Sequence, residues 1–237
     1  MAFNPLSSFN QSAAANPDVT AKAEVLYRAL PSLPATSITR GYFHWAVAPF
    51  GCVFTDYNGM ADYENGNWVV KITHNPADNA FGINGNSPAA HTWHRYDGAI
   101  GVALAGMTGA TQEDFGPDSV TMAGLEHLCA AMAAFALKYD LDASGTVAAG
   151  TTHLSDVGTI DTAGEPVLLT HAEAATIDGY LCGFTSDPDC RWDLGSFQPL
   201  PSGVSLNTDM VKTCGAALRV RTHVYKTALA SAVGVKT

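Results

Sequence analysis

Apolar positions along the chain follow two rhythms, one helical and one extended. Val19, Ala23, Leu26 and Leu30 recur at helical spacing, Asn16 stands where a side-chain cap belongs and Pro17 suits the first helical position. A helix is therefore predicted from Asn16 onward, ended by Pro31 and Pro34. Residues 37–47 are dense in β-branched and aromatic types and predict a buried strand. Residues 58–67 carry Gly59, Gly66 and several Asn and Asp, a turn-like composition, and 68–73 (WVVKIT) predict the next strand. A Gly-, Asn- and Pro-rich loop over 74–88 follows, then the apolar run 99–104 (AIGVAL), too short for a typical helix and read as a central strand. Met122, Leu125, Cys129, Met132 and Ala136 share one face of a helix predicted over 121–139, with Thr121 as its cap. Residues 167–170 (VLLT) lead straight into His171.

Strands alternating with helices predict an α/β fold: a mixed central β-sheet flanked by helices. The organisation read from the chain is an N-terminal arm and helix over 1–36, with 1–15 a loose segment. A main domain spans 37–197, and a helical tail over 198–237 follows the Pro-rich break QPLPSG. With 237 residues, 47% of them apolar, the chain can bury one sizeable core.

Charge narrows the partners. Twenty-two acids against 12 bases give a formal charge of −10, a field that opposes nonspecific binding to nucleic acid or anionic lipid. No apolar stretch approaches the roughly 20 residues that span a bilayer, and no membrane insertion is expected. The start, MAFNPLSSFNQSAAANPD, has neither a basic opening nor an apolar run, so no secretion signal is expected and the expected location is cytoplasmic. The five cysteines form no CxxC pair; Cys129 reads as a small buried apolar residue, and Cys182 and Cys190 flank a loop that a disulfide could close.

The candidate chemistry lies in three distant frames: GYFHWAV with His44, LLTHAEA with His171 and CRWDLGS with Asp193. Two imidazoles and a carboxylate are the set that holds a catalytic zinc while leaving a position open for water. Each residue also has a plainer reading. His44 would be a hydrogen-bonded core histidine, His171 a helix cap and Asp193 the ion-pair partner of Arg191. His91 and His94 form an HxxH pair without the HExxH signature of a metalloprotease helix. Glu173 either orients His171 or is an exposed acid at a helix start. His74, His127, His153 and His223 read as ordinary surface or loop residues.

These frames, together with AHTWHRYDGAIGVALAGM, resemble the zinc-dependent N-acetylmuramoyl-L-alanine amidase family, the amidase-2 group that shares its fold with peptidoglycan recognition proteins. The resemblance covers roughly 38–194. It implies an amidase-2-like fold, Zn²⁺ held by His44, His171 and Asp193, and water activated on the metal for attack on the amide between N-acetylmuramic acid and L-alanine. Peptidoglycan is the implied partner, and release or delivery of a phage endolysin or effector to the wall is the implied setting. Arg191 stands where relatives often carry a Lys that supports the oxyanion. The position aligned with the relatives' general base is Trp68, so the proton-transfer role falls to Glu64, with Tyr63 in reserve. His91 is expected to line the groove and Trp93 to pack there or stack on sugar, with a purely structural role for both as the plainer reading. Two rival readings stay open: a peptidoglycan-binding module without catalysis, and a zinc peptidase acting on another amide.

Overall fold

The computed structural model describes residues 3–6, 8–82, 87–93, 95–155, 158–179 and 191–236. Four helices surround a five-stranded sheet: α1 (Pro17–Ala29), α2 (Met122–Lys138), α3 (His171–Asp178) and α4 (Thr208–Val233). The sheet is built from β1 (Arg40–Trp45), β2 (Gly59–Glu64), β3 (Asn67–Ile72), β4 (Ala99–Leu104) and, after a separate hairpin of β5 (Thr152–Ser155) and β6 (Gly158–Asp161), the short β7 (Leu168–Thr170). Strand order is β3-β2-β4-β1-β7, with β2 and β3 antiparallel and the other neighbours parallel. This is the expected α/β class with a mixed sheet.

The central strands β1 and β4 are buried at every position, as parallel strands covered on both faces must be. Their alternation sorts the faces. Phe43, Trp45, Ile100, Val102 and Leu104 join the main core under α2, whose alanines let it lie close to the strands. A Cβ at Gly41 would stand 2.9 Å from Met132 Sδ, so the glycine permits that approach. Tyr42, Ala99 and Leu169 face the other way and pack against Ala174 of α3.

The caps read from sequence form as expected. The Asn16 side chain accepts from the amides of Asp18 and Val19, and Thr121 accepts from Gly124 N. Three expectations need correction. Residues 58–67 are not a turn: they hold β2, whose Met60, Ala61 and Asp62 are fully buried, and only Asn65 and Gly66 turn the chain. Both turn residues have positive φ, 50° and 82°, the geometry of a tight two-residue hairpin. The described residues of 1–15 are not a loose arm either. Phe9 packs edge-on against Phe197 at 5.2 Å, and the carbonyls of Ala13 and Ala14 accept from Arg221 of α4. Finally, α4 is no appendage, since Cys214, Leu218, Tyr225 and Leu229 belong to the same core as β1 and α2. Among the described residues no helix is long and apolar enough to cross a membrane.

Candidate metal centre

β1 and β7 run parallel side by side, with Phe43 opposite Thr170, so the next residue of each chain segment, His44 and His171, emerges at the same C-terminal edge. Ligand sites of parallel sheets form at that edge. Thr170 ends β7 and caps α3; its hydroxyl accepts from Glu173 N while the Glu173 carboxylate accepts from Thr170 N, a reciprocal capping box that fixes where His171 begins the helix. Asp193 comes from a tight turn held in two ways. Its carbonyl accepts from Ala172 N at 3.2 Å, and the preceding Trp192 is wedged against Trp45 and Phe115 at 4.7 and 5.9 Å between ring centroids.

The three side chains converge. His44 Nδ1 lies 3.1 Å from His171 Nδ1, His171 Nδ1 lies 3.3 Å from Asp193 Oδ2, and His44 Nδ1 lies 3.6 Å from the same oxygen. Donors bound at the usual 2.0–2.2 Å around a tetrahedral ion stand roughly 3.3–3.6 Å apart, so this triangle fits one ion. All three residues are buried, and among the described residues they are the group of His, Cys and acidic side chains able to hold a metal. Burial pushes the His44 pKa down to about 4, with Asp193 opposing and His171 adding to the drop, so His44 is a neutral imidazole at pH 7, the form that coordinates. Asp193 works against its own burial: His171 and His44 hold its carboxyl well below the usual range, and it is ionised.

The centre opens on a cleft of about 560 Å³ lined by Val47, Asp56, Tyr57, His91, Trp93 and Arg191, among others. Its size and aromatic lining suit a small polar ligand. A cavity of the same volume, about 560 Å³, lies between 33–39 and 138–151 at the other end of β1. Among the described residues no group of His, Cys and acidic side chains able to hold a metal lines it, so volume does not decide between the two. The loop carrying His91, Thr92 and Trp93 is fastened by buried asparagines: Asn79 Nδ2 donates to the carbonyls of Ala89 and Tyr96, and its Oδ1 accepts from Ala89 N and Asn58 Nδ2. Arg95, fully buried, braces the same loop by paired bonds to Asp178 of α3 and Glu165.

Of the residues picked from sequence, His44, His171 and Asp193 meet, and Arg191, His91 and Trp93 line the cleft beside them. Glu64 does not reach it. It pairs with Lys71 across the β2–β3 hairpin, four residues beyond Met60, the β2 residue in register with Ala103 and through it with His44, so β2 carries it past the end of β4 and away from the centre. Tyr63 is likewise off the cleft, packed on Phe50 and Trp68 at 5.7 and 5.5 Å. Glu173 neither touches a ligand nor faces solvent; its carboxylate is buried against Arg219 of α4. His127 is buried rather than on the surface, its ring stacked on Trp68. His94, Cys182 and Cys190 lie outside the described residues, as does the disulfide considered for the two cysteines.

Tyr57 on the cleft and Thr92, buried behind His44, escaped the sequence reading, as did Asp56 of the cleft wall. Tyr57 precedes β2, its ring 5.1 Å from that of His44, and its hydroxyl donates to Trp45 O at 3.4 Å. Burial, with the Asp193 and Asp56 carboxylates adding to it, raises its pKa and keeps the phenol protonated. Thr92 Oγ1 stands 3.1 Å from His44 Nε2. Neither residue carries a motif, although the flanking Asp56 and His91 are the kind of polar company a cleft residue keeps. Compared with known proteins, the chain matches no family model, no curated protein and no solved structure.

Proposed function

We propose that the chain is a zinc-dependent amidase that cleaves the bond between N-acetylmuramic acid and L-alanine in peptidoglycan, on an amidase-2-like α/β scaffold. The observation that carries this reading is the triangle of two imidazole nitrogens and one carboxylate oxygen, with sides of 3.1, 3.3 and 3.6 Å, at the floor of an aromatic-lined cleft. Zinc is the ion favoured by a mixed nitrogen and oxygen set of three. Bound there, it would supply Lewis acidity, lowering the pKa of water toward about 7 and polarising the amide carbonyl.

The protein's own groups divide the remaining work. Arg191, two residues before Asp193 and on the cleft wall, brings a permanent positive charge to the carbonyl oxygen as it gains negative charge. Tyr57 is held protonated, and its hydroxyl, turned from Trp45 O, would be a neutral donor for the same oxygen. The proton-transfer role first given to Glu64 passes to Asp56, the non-ligand carboxylate among the described cleft residues. Trp93, 46% exposed, offers a flat face to a sugar ring.

The test uses purified sacculi. Full-length protein is expected to release lactyl ends and L-alanine amino termini, to stop on chelation and to resume with added zinc. Binding to sacculi without cleavage would convert the reading to a recognition module, and cleavage of stem-peptide bonds alone would make the chain a peptidase. Asp193→Ala, which removes one of three protein ligands, is expected to bring zinc content from about one per chain to a small fraction. Asp56→Asn is expected to lower kcat by about 10²-fold or more with zinc content intact.

A further inference from the structure

The nitrogens of His91, a residue expected to contact substrate, are engaged by the protein itself. Nδ1 lies 2.9 Å from Thr92 Oγ1, and Nε2 lies 3.4 Å from the carbonyl oxygen of Ala99. Thr92 Oγ1 in turn stands 3.1 Å from His44 Nε2. Threonine 92 is fully buried and His91 nearly so. A threonine hydroxyl can donate or accept, so its contact with His44 alone would leave the metal ligand's tautomer open.

The far end of the chain of bonds closes that choice. A carbonyl oxygen only accepts, so Nε2 of a neutral His91 must carry the hydrogen. His91 Nδ1 is then a lone pair and takes the Thr92 hydroxyl proton. Thr92 Oγ1 is left as acceptor for His44 Nε2–H, and the lone pair of His44 falls on Nδ1. That atom is the one 3.1 Å from His171 Nδ1 and 3.6 Å from Asp193 Oδ2. We infer that Ala99, His91 and Thr92 form a relay that sets the tautomer of His44 and so presents Nδ1 as the metal donor. His91 and Thr92 are thus positioning residues, acting through His44.

An independent feature shows that room was made for the relay. A Cβ at Gly101, in the middle of β4, would fall 2.3 Å from His91 Cγ, so the sheet seats this imidazole through the absence of a side chain there. Gly101 N also donates to Asn58 Oδ1, which ties the same point of the strand to the asparagines that fasten the His91 loop. The inference rests on the three-donor centre and holds whatever bond the cleft hydrolyses.

The tautomer can be read directly in the metal-free, full-length protein by two-bond ¹H–¹⁵N correlation of the histidine rings at neutral pH. Wild type is expected to show His44 protonated at Nε2. Thr92→Val, nearly isosteric, removes the acceptor and is expected to bring the Nδ1–H form into the mixture. It should also weaken Zn²⁺ binding, measured against a chromogenic chelator, by about 10–100-fold. Thr92→Ser is expected to restore both readouts. His91→Leu leaves Thr92 in place without its acceptor and should shift the tautomer in the same direction, so it carries the test if the valine variant fails to fold. Wild-type His44 protonated at Nδ1 would overturn the relay, and so would a Thr92→Val protein that loses zinc affinity with its tautomer unchanged, since that is what a purely structural threonine would give.

Discussion

Val47 and Leu194 share an uncommon backbone state and differ in everything that decides its consequence. Each follows a ligand-bearing segment, and each holds a positive φ, 48° and 62°, in a left-handed region that residues with a branched or bulky Cβ avoid. Such strain costs roughly 1–3 kcal/mol. At Val47 it is imposed from both sides, because Ala46 N and Ala48 N donate to the carbonyls of Leu104 and Gly106 and clamp the chain between them. Its side chain is 57% exposed on the cleft rim and returns little by burial. Leu194 is fully buried in the main core, where losing a leucine costs roughly 2–5 kcal/mol and outweighs the strain. Val47→Asn, with a side chain that tolerates this conformation, is therefore expected to raise the melting temperature, by about 2–4 °C for each kcal/mol recovered. Leu194→Gly is expected to lower it. Thermal denaturation of the two variants checks the opposite signs, and a fall for Val47→Asn would mean the strain is not there to be relieved. Legibility at this scale follows chemistry: the convergence of His44, His171 and Asp193 could be read because candidate metal ligands come from few residue types in telling frames. Tyr57 and Thr92 could not, because a neutral hydroxyl acquires its role only from what the fold sets beside it.

Among the elements, α4 bears on the centre chiefly through Glu173. Gly215 lets it approach α3 so closely that a Cβ there would stand 2.0 Å from Glu173 Oε2, and Arg219, one turn on, donates to that carboxylate and to Leu168 O at 2.8 and 2.9 Å. Glu173 is the acid of the box that starts α3 at His171, so the helix after the Pro-rich break holds the first turn of a ligand-bearing helix. Arg219→Met strands a buried carboxylate, and breaking such a pair from one side costs roughly 3–5 kcal/mol. Denaturant unfolding should show that loss. Adding Glu173→Gln should return a substantial part of it, since the neutral side chain can still accept from Thr170 N; a double variant no more stable than Arg219→Met would refute the ion-pair account. Sequence signalled the helix of α4 but not its place, because periodicity reports that a face is apolar and not which neighbour covers it. The miss at β2 has the opposite cause. Its Gly, Asn and Asp read as turn chemistry, yet Asn58 and Asp62 are buried polar residues satisfied by Asn79, Gly101 N and Lys71, partners that exist only once the sheet has formed.

At the scale of the whole molecule, the N-terminal arm, α1, α2, α4 and the rear of the sheet share one core, while the front edge gathers groups that would each be costly to bury alone. The three-donor centre therefore couples stability to both metal and protons. In the metal-free protein, burial lowers the His44 pKa from 6.5 to about 4, so between those values the unfolded chain binds more protons than the folded one. Stability then rises with pH across that window, and it is lost as pH falls from about 6.5 toward 4. A metal ion on the three donors, zinc on the function proposed above, would add a second dependence with the same sign: it would stabilise the folded state in proportion to the logarithm of its concentration over Kd, and protons would compete for the donors it needs. The melting temperature of zinc-loaded protein should exceed that of chelated protein at pH 7.5, and the gap should close as pH approaches 5. Thermal scans of both forms across this range measure the two slopes. A gap that persists unchanged at low pH would show that zinc is held by groups other than two imidazoles, and it would remove His44 and His171 from the centre.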